Sequence, residues 1–289
     1  MATRFKNLLL AGMLLALSAC ATQGAVLTTG VGAIRASATA ADAETEKVFG
    51  EINAAQRDDV ITLLLAQKAR PSEEAFAPVI TPETAARWNA IFDGVDKYLG
   101  GIQDLVDTKR SAAITEDLQG VGEALQSPNF GVKIPNEAVG LFANLGGALV
   151  QAAAEKKAQD VMRRTDPEFR ALMGGLAELV GGPESRPGTL RAMVDEHWAG
   201  LLIGVEHSFG AVLTAPDAAR SPLLVSYGKL LDERQAYRDR LERLRRALVA
   251  IGEAHSAAAK GSPGGTYYWI GQINGYVKQA REDAKAGDK

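Results

Sequence analysis

Hydrophobic positions in this chain recur at steps of three and four. Between 82 and 108, Trp88, Ile91, Phe92, Val95, Leu99, Ile102, Leu105 and Val106 form one apolar stripe, the period of a helix that buries a single face. Its start is well marked: Thr81 can cap, Pro82 suits the first helical position, and Glu83 favours the positive end of the helix dipole. The same logic predicts a helix over 42–69, with Val48, Phe49, Ile52, Val60, Leu63 and Leu64 inward and Pro71 beyond its end. Ile114, Leu118, Val121 and Leu125 mark a further amphipathic piece, and a Gly- and Ala-rich segment follows over 136–164. Asp166-Pro167-Glu168 repeats the cap, proline, acid pattern and predicts a short helix that stops at Gly181-Gly182-Pro183. Thr189 then caps a helix carrying Leu190, Met193, Val194, Trp198, Leu201, Leu202, Val205, Phe209 and Val212, which stops near Pro216.

The longest regular pattern begins at Ser221-Pro222. Tyr227, Leu230, Arg234, Tyr237, Leu241, Leu244, Leu248, Ile251, His255 and Ala258 alternate steps of three and four, as in the seam of an antiparallel bundle or coiled coil. A turn over 261–265 separates it from a last helix with Trp269, Ile273, Tyr276 and Val277 inward. No run of alternating strands competes. The fold class is therefore all-α: about six to eight helices in an antiparallel bundle, which could be elongated, because each stripe needs a neighbour to cover it.

The first twenty residues follow another rule. Arg4 and Lys6 precede an apolar run over 8–17, and small residues lead to Cys20, the layout of a secretory signal peptide. The run is about half the ~20 residues that a bilayer-spanning helix needs. Leu17-Ser18-Ala19-Cys20 resembles the lipobox of bacterial lipoproteins. The resemblance implies diacylglyceryl attachment at the Cys20 thiol, cleavage after Ala19 and acylation of the new amino group. Several acyl chains hold a protein on a membrane, where one alone is marginal. The chain then divides into a signal peptide over 1–19, a lipidated Cys20 with a flexible Ala-, Thr-, Gly- and Ser-rich tether over 20–41, and a bundle domain over 42–289. Val26, Leu27, Val31 and Ile34 could instead pack on the domain. Ala21 stands where, in the sorting rule associated with these lipoproteins, an Asp favours inner-membrane retention. The resemblance thus leans towards the outer membrane, facing the periplasm, with other envelope proteins as partners.

Charge and cysteine usage fit that placement. Loss of Arg4 and Lys6 takes Lys+Arg from 32 to 30 against 35 Asp+Glu, and the formal charge from −3 to −5. A mildly acidic protein gains no general attraction for nucleic acid. The single cysteine excludes an intrachain disulfide, a thiolate metal site and a redox pair.

Candidate chemistry elsewhere is sparse. His197 and His207 are ten apart, ~15 Å along a helix, and cannot share one ion. His255 lies on the long seam, where it could meet Glu196 or Glu206 across the bundle to form an acid/base site. The sequence lacks His-Glu-x-x-His, a Gly-x-Ser-x-Gly elbow and a phosphate loop, so no metal, cofactor or catalytic residue is assigned. Arg234, also on the seam, would need a carboxylate partner if buried. The charged run over 232–246 reads as a solvated face, with an anion or lipid-headgroup patch as the alternative. Among Tyr267, Tyr268, Trp269 and Tyr276, only the first two are spare for stacking on a ligand. The uncharged run over 138–154, with the apolar stretch over 198–205, loosely resembles the hydrophobic hairpins of soluble α-helical pore-forming toxins, and membrane insertion is the alternative function.

Overall fold

The computed structural model describes residues 2–107, 158–182 and 186–287, with side chains described over 27–282 of these apart from 28, 106 and 107. Six α-helices account for most of them: α1 Ala2–Gln67, α2 Pro82–Asp107, α3 Ala158–Val180, α4 Leu190–Ala211, α5 Asp217–Ala259 and α6 Pro263–Gly287. A 3-10 turn at Glu74–Phe76 joins α1 to α2. No strand occurs among the described residues, and the fold is all-α. The pieces expected at 114–127 and over most of 136–164, including the run 138–154, lie outside the described residues.

The long seam makes α5 the hub. It packs most extensively on α6 and α3, then on α4 and α1. Cross-helix partners give the directions. Along α1 and α5, Glu51 meets Arg240 and Asp59 meets Lys229, so residue numbers rise on one as they fall on the other: these helices are antiparallel. The pairs Arg170–Glu253 and Asp166–His255 show the same for α3 and α5. By contrast, Ser37 bonds Asn274 and Glu44 bonds Arg281, both at a separation of 237 residues. That constant offset makes α1 and α6 parallel, a local departure from the expected antiparallel order.

The caps at Thr81 and Thr189 form as expected: each hydroxyl accepts from the backbone N–H three residues on, Thr84 and Ala192, at 3.2 Å. Two prolines behave differently. Pro167 and Pro222 both lie inside helices, α3 and α5, instead of opening them. Proline removes one backbone bond, but around Pro167 the side chains of Val161, Met162, Phe169 and Leu172 are all buried. Burial worth roughly 1.5–3 kcal/mol per large apolar side chain outweighs that loss.

The expected tether also differs. The 20–41 stretch is helical, and Val31 and Ile34 are fully buried, with Ala38 and Ala41 close to it. Their spacing of three, four and three faces α2 and α6, where Arg35 forms a two-pronged ion pair with Asp96 (2.5 and 2.6 Å). The packed core thus begins about ten residues before 42, and Val31 and Ile34 pack on the bundle.

α1 ends where Lys68 takes a left-handed backbone, φ 50°. This lets the Ala69 N–H close on the Leu64 carbonyl at 3.0 Å. Asn53 then clamps the connection to α2, its amide donating to the Ile80 carbonyl (2.8 Å) and accepting from the Ile80 N–H (2.9 Å).

Candidate functional site

His255 is where the sequence placed its main candidate, and the structure buries it completely. Its partner is neither Glu196 nor Glu206. Those two are exposed on α4, and Glu206 accepts from the Tyr227 hydroxyl at 2.8 Å. The carboxylate that reaches His255 comes from α3: Asp166 Oδ1 lies 3.0 Å from Nδ1, while Oδ2 accepts from the Ser256 hydroxyl at 3.0 Å. On the other side of the ring, Nε2 lies 2.8 Å from the Tyr98 hydroxyl, which is 2.6 Å from Thr165 Oγ1. Phe169 stacks on the imidazole, centroids 4.3 Å apart.

Donor counting fixes the proton order of this chain. With neutral His255, Nδ1–H donates to Asp166, so Nε2 must accept from Tyr98, whose oxygen accepts in turn from Thr165. If the ring gains a proton, Nε2–H donates to Tyr98, Tyr98 donates to Thr165, and Thr165 donates to the Val161 carbonyl 2.9 Å away. Both states leave every member bonded. Burial pushes the His255 ring below its usual pKa, with Asp166 pulling the other way. Burial also raises Asp166, but bonds from His255 and Ser256 and the nearby Arg170 charge outweigh it and hold the carboxyl below its ordinary value. Tyr98 is held well above its ordinary value by burial. Both ring nitrogens are engaged and the ring is covered, so the relay joins α2, α3 and α5 inside the core and offers no face to a substrate.

Arg234 is half-buried, and the buried arginine of α5 is Arg240, 3% exposed. Its guanidinium pairs with Glu51 and stands 3.6 Å from Glu44, itself 2% exposed and bonded by Arg281 at 2.9 Å. One carboxylate thus ties α1, α5 and α6. In the charged run, Glu242 accepts from Arg245 (2.7 Å) and Arg246 (2.8 Å). These bonds hold its carboxyl down at about 2. Arg238 reaches across to Asp195 on α4. The run is self-neutralised at Glu242, where the i, i+4 pair with Arg246 forms, but Arg238 and the buried Arg240 turn to carboxylates of α4 and α1, so it is not the wholly solvated face that its spacing implied.

His197 is half-buried against the edge of Trp198, and burial lowers its pKa; His207 is exposed. Among the described residues, no three His, Cys, Asp or Glu side chains gather where a metal ion could sit. No helix among the described residues is long and apolar enough to cross a membrane. Leu17, Ser18, Ala19 and Cys20 fall within α1, before the first described side chain.

The concavities among the described residues include two with polar groups on their walls. Where α5 turns into α6, a cleft of about 460 Å³ is lined by Gln159, Arg163, Lys260, Ser262 and Tyr267. Tyr267 is one of the two exposed aromatics anticipated from the sequence. Further along the bundle, α1, α4 and α5 enclose a narrower slot around Asp59.

Asp166 and Tyr98 were missed by sequence reasoning. Tyr98 follows Val95 by three and so continues the α2 stripe, a findable signal. Asp166 carried a misleading one, since Asp-Pro normally opens a helix. No protein-family model, curated protein or solved structure matches this chain.

Proposed function

We propose that this chain is a bacterial cell-envelope lipoprotein, anchored through Cys20 and acting as a binding or scaffolding module. The observation that carries the proposal is Leu17-Ser18-Ala19-Cys20 itself: the single thiol of the chain stands at the modified position of a lipobox, behind a basic start and a short apolar run. Ala21 directs the mature protein to the outer membrane, facing the periplasm. The bundle supports a binding role over a catalytic one because its one buried histidine spends both nitrogens on protein partners. It also carries large apolar side chains in solvent at one end, including Leu65, Ile203, Leu213, Leu224 and Val225, of the kind used at protein interfaces. Its partners are other envelope proteins.

The experiment is Cys20→Ala, with palmitate labelling and fractionation. The wild type should incorporate label and partition with membranes; the variant should lose both. A variant that stays membrane-bound, or a wild type that takes no label, defeats the lipoprotein assignment. In-cell crosslinking from Leu224 or Val225 then tests the scaffolding half, and recovery of the uncrosslinked chain alone argues against it.

A further inference from the structure

The slot between α1, α4 and α5 has a composition that neither the anchor nor the bundle core requires. Its walls are Leu63, Leu201, Val205, Leu223 and Leu230, and at its inner end stands Asp59, its side chain 7% exposed. Asp59 Oδ2 and Oε2 of the facing Glu233 are buried where no N–H or O–H group of the protein bonds them, and the two carboxyls meet each other across one shared proton. Once that proton is lost, each buried acceptor left unbonded costs roughly 1–3 kcal/mol, so the ionised pair is a place where a donor is wanted.

Lys229 meets that need only from the rim. Its ammonium is 3.0 Å from Glu233 Oε1 and 3.7 Å from Asp59 Oδ1, and its side chain is 64% exposed. The hydroxyls lining the slot sharpen the selectivity. Thr62 and Ser208 each donate to a carbonyl of their own helix at 2.9 Å, Asp58 and Gly204 respectively. Their protons are committed, so towards the slot they can only accept. Donors on the lining are the Lys229 ammonium at the rim and the Ser226 hydroxyl; around Asp59 itself the polar atoms are acceptors, which favours the N–H groups of a cationic ligand. The enclosed volume is about 50 Å³, room for about four small groups in a row.

We propose that this slot binds the ammonium end of a short aliphatic amine, its methylenes against the leucines and its three N–H groups on Asp59, Glu233 and the hydroxyl acceptors, displacing Lys229 to solvent. The site is independent of the anchor at Cys20. Binding is linked to protons. Burial and the facing Glu233 carboxyl push Asp59 up to about 7, with Lys229 opposing. The groups facing it are Glu233, Lys229 and Tyr237 from α5, whereas α4 contributes Leu201, Val205 and Ser208. An arriving ammonium needs the ionised carboxylate, so affinity rises with pH, about tenfold between pH 6 and pH 8.

The test is calorimetric titration of the full chain in detergent with n-butylammonium, with n-butanol and butyrate as controls of matching length. One-site binding by the amine alone is expected, weakened at least tenfold by Asp59→Asn and tightened several-fold by Lys229→Met, which removes the internal competitor. Equal binding of butanol, unchanged affinity in D59N, or affinity that falls as pH rises from 6 to 8 overturns the proposal. If D59N does not fold, the Lys229→Met comparison decides: affinity unchanged or weaker than wild type defeats it.

Discussion

Replacing Tyr98 by Phe removes one hydroxyl from the relay and leaves the ring. The Phe side chain keeps the apolar burial and the contact with Phe169, where ring centroids are 5.3 Å apart. What is lost follows from the proton order. Nε2 of fully buried His255 loses its only donor, while Thr165 is not stranded, since its hydroxyl can turn to the Val161 carbonyl at 2.9 Å. One net hydrogen bond of about 1 kcal/mol plus a buried unpaired acceptor at ~1–3 kcal/mol gives an expected loss of about 2–4 kcal/mol. Thr165→Val makes the contrast. There Tyr98 still donates to His255, and only the tail of the chain is cut, so the expected loss is about 1 kcal/mol or less. Urea unfolding followed by circular dichroism at pH 8, where the ring is neutral, measures both. The order Tyr98→Phe worse than Thr165→Val is the substance of the prediction. A Tyr98→Phe variant within about 0.5 kcal/mol of wild type, or a reversed order, refutes the proton assignment.

Two further predictions concern other places in the fold. Lys68→Gly removes the left-handed strain of a residue with a side chain at φ 50°, and should stabilise the protein by about 0.5–1 kcal/mol in the same urea assay; destabilisation would mean that the Lys68 side chain matters more than its backbone. Asp42 is half-buried beside Glu46 and Asp93, and burial first, then those charges, push its carboxyl from 3.8 up to about 7. The native state holds this proton where the unfolded chain has released it, so stability from this site is lost as pH rises between those values. Asp42→Asn should therefore be nearly neutral at pH 4 and raise the unfolding midpoint at pH 8, and an equal effect at both pH values contradicts the assignment.

The elements of this fold were legible where one local rule governed. The α2 stripe, the Thr81 and Thr189 caps and the turn before α6 each rest on spacing or capping within a few residues. Failures came where packing overrode a local preference. Pro167 is a helix starter by default, yet it sits inside a helix whose neighbouring residues gain more from burial than one backbone bond is worth. Pro222 also lies inside its helix, as the sixth residue, but its neighbours Leu224 and Val225 are exposed, so burial does not explain it. Residues 30–41 read as tether because small residues dominate them, although Val31, Ile34, Ala38 and Ala41 keep helical spacing.

The polar site was legible only in part. His255 was found because the seam passes through it. Arg234 stands on the seam as read, but the seam is not equally deep along α5: Leu230, Leu241, Leu244, Leu248, Ile251 and His255 are buried, whereas Tyr227, Arg234 and Tyr237 are half-buried. Arg240, off the seam, turns inward. The pairing of Asp166 with His255, 89 residues apart, and of Tyr98 with His255, 157 apart, depends on which helices become neighbours. Side-chain periodicity in one helix carries no information about that choice.

The parallel pairing of α1 with α6 sets a clock on the birth of this protein. Ser37 waits for Asn274 and Glu44 for Arg281, each 237 residues later. At synthesis rates of about 5–20 residues per second, the interval is roughly 12–50 s. Throughout it the apolar flank of α1 that belongs under α6 has nothing to close against, and the chain cannot lock. α6 is then the latch: this flank of α1 closes only when a helix made long after it arrives.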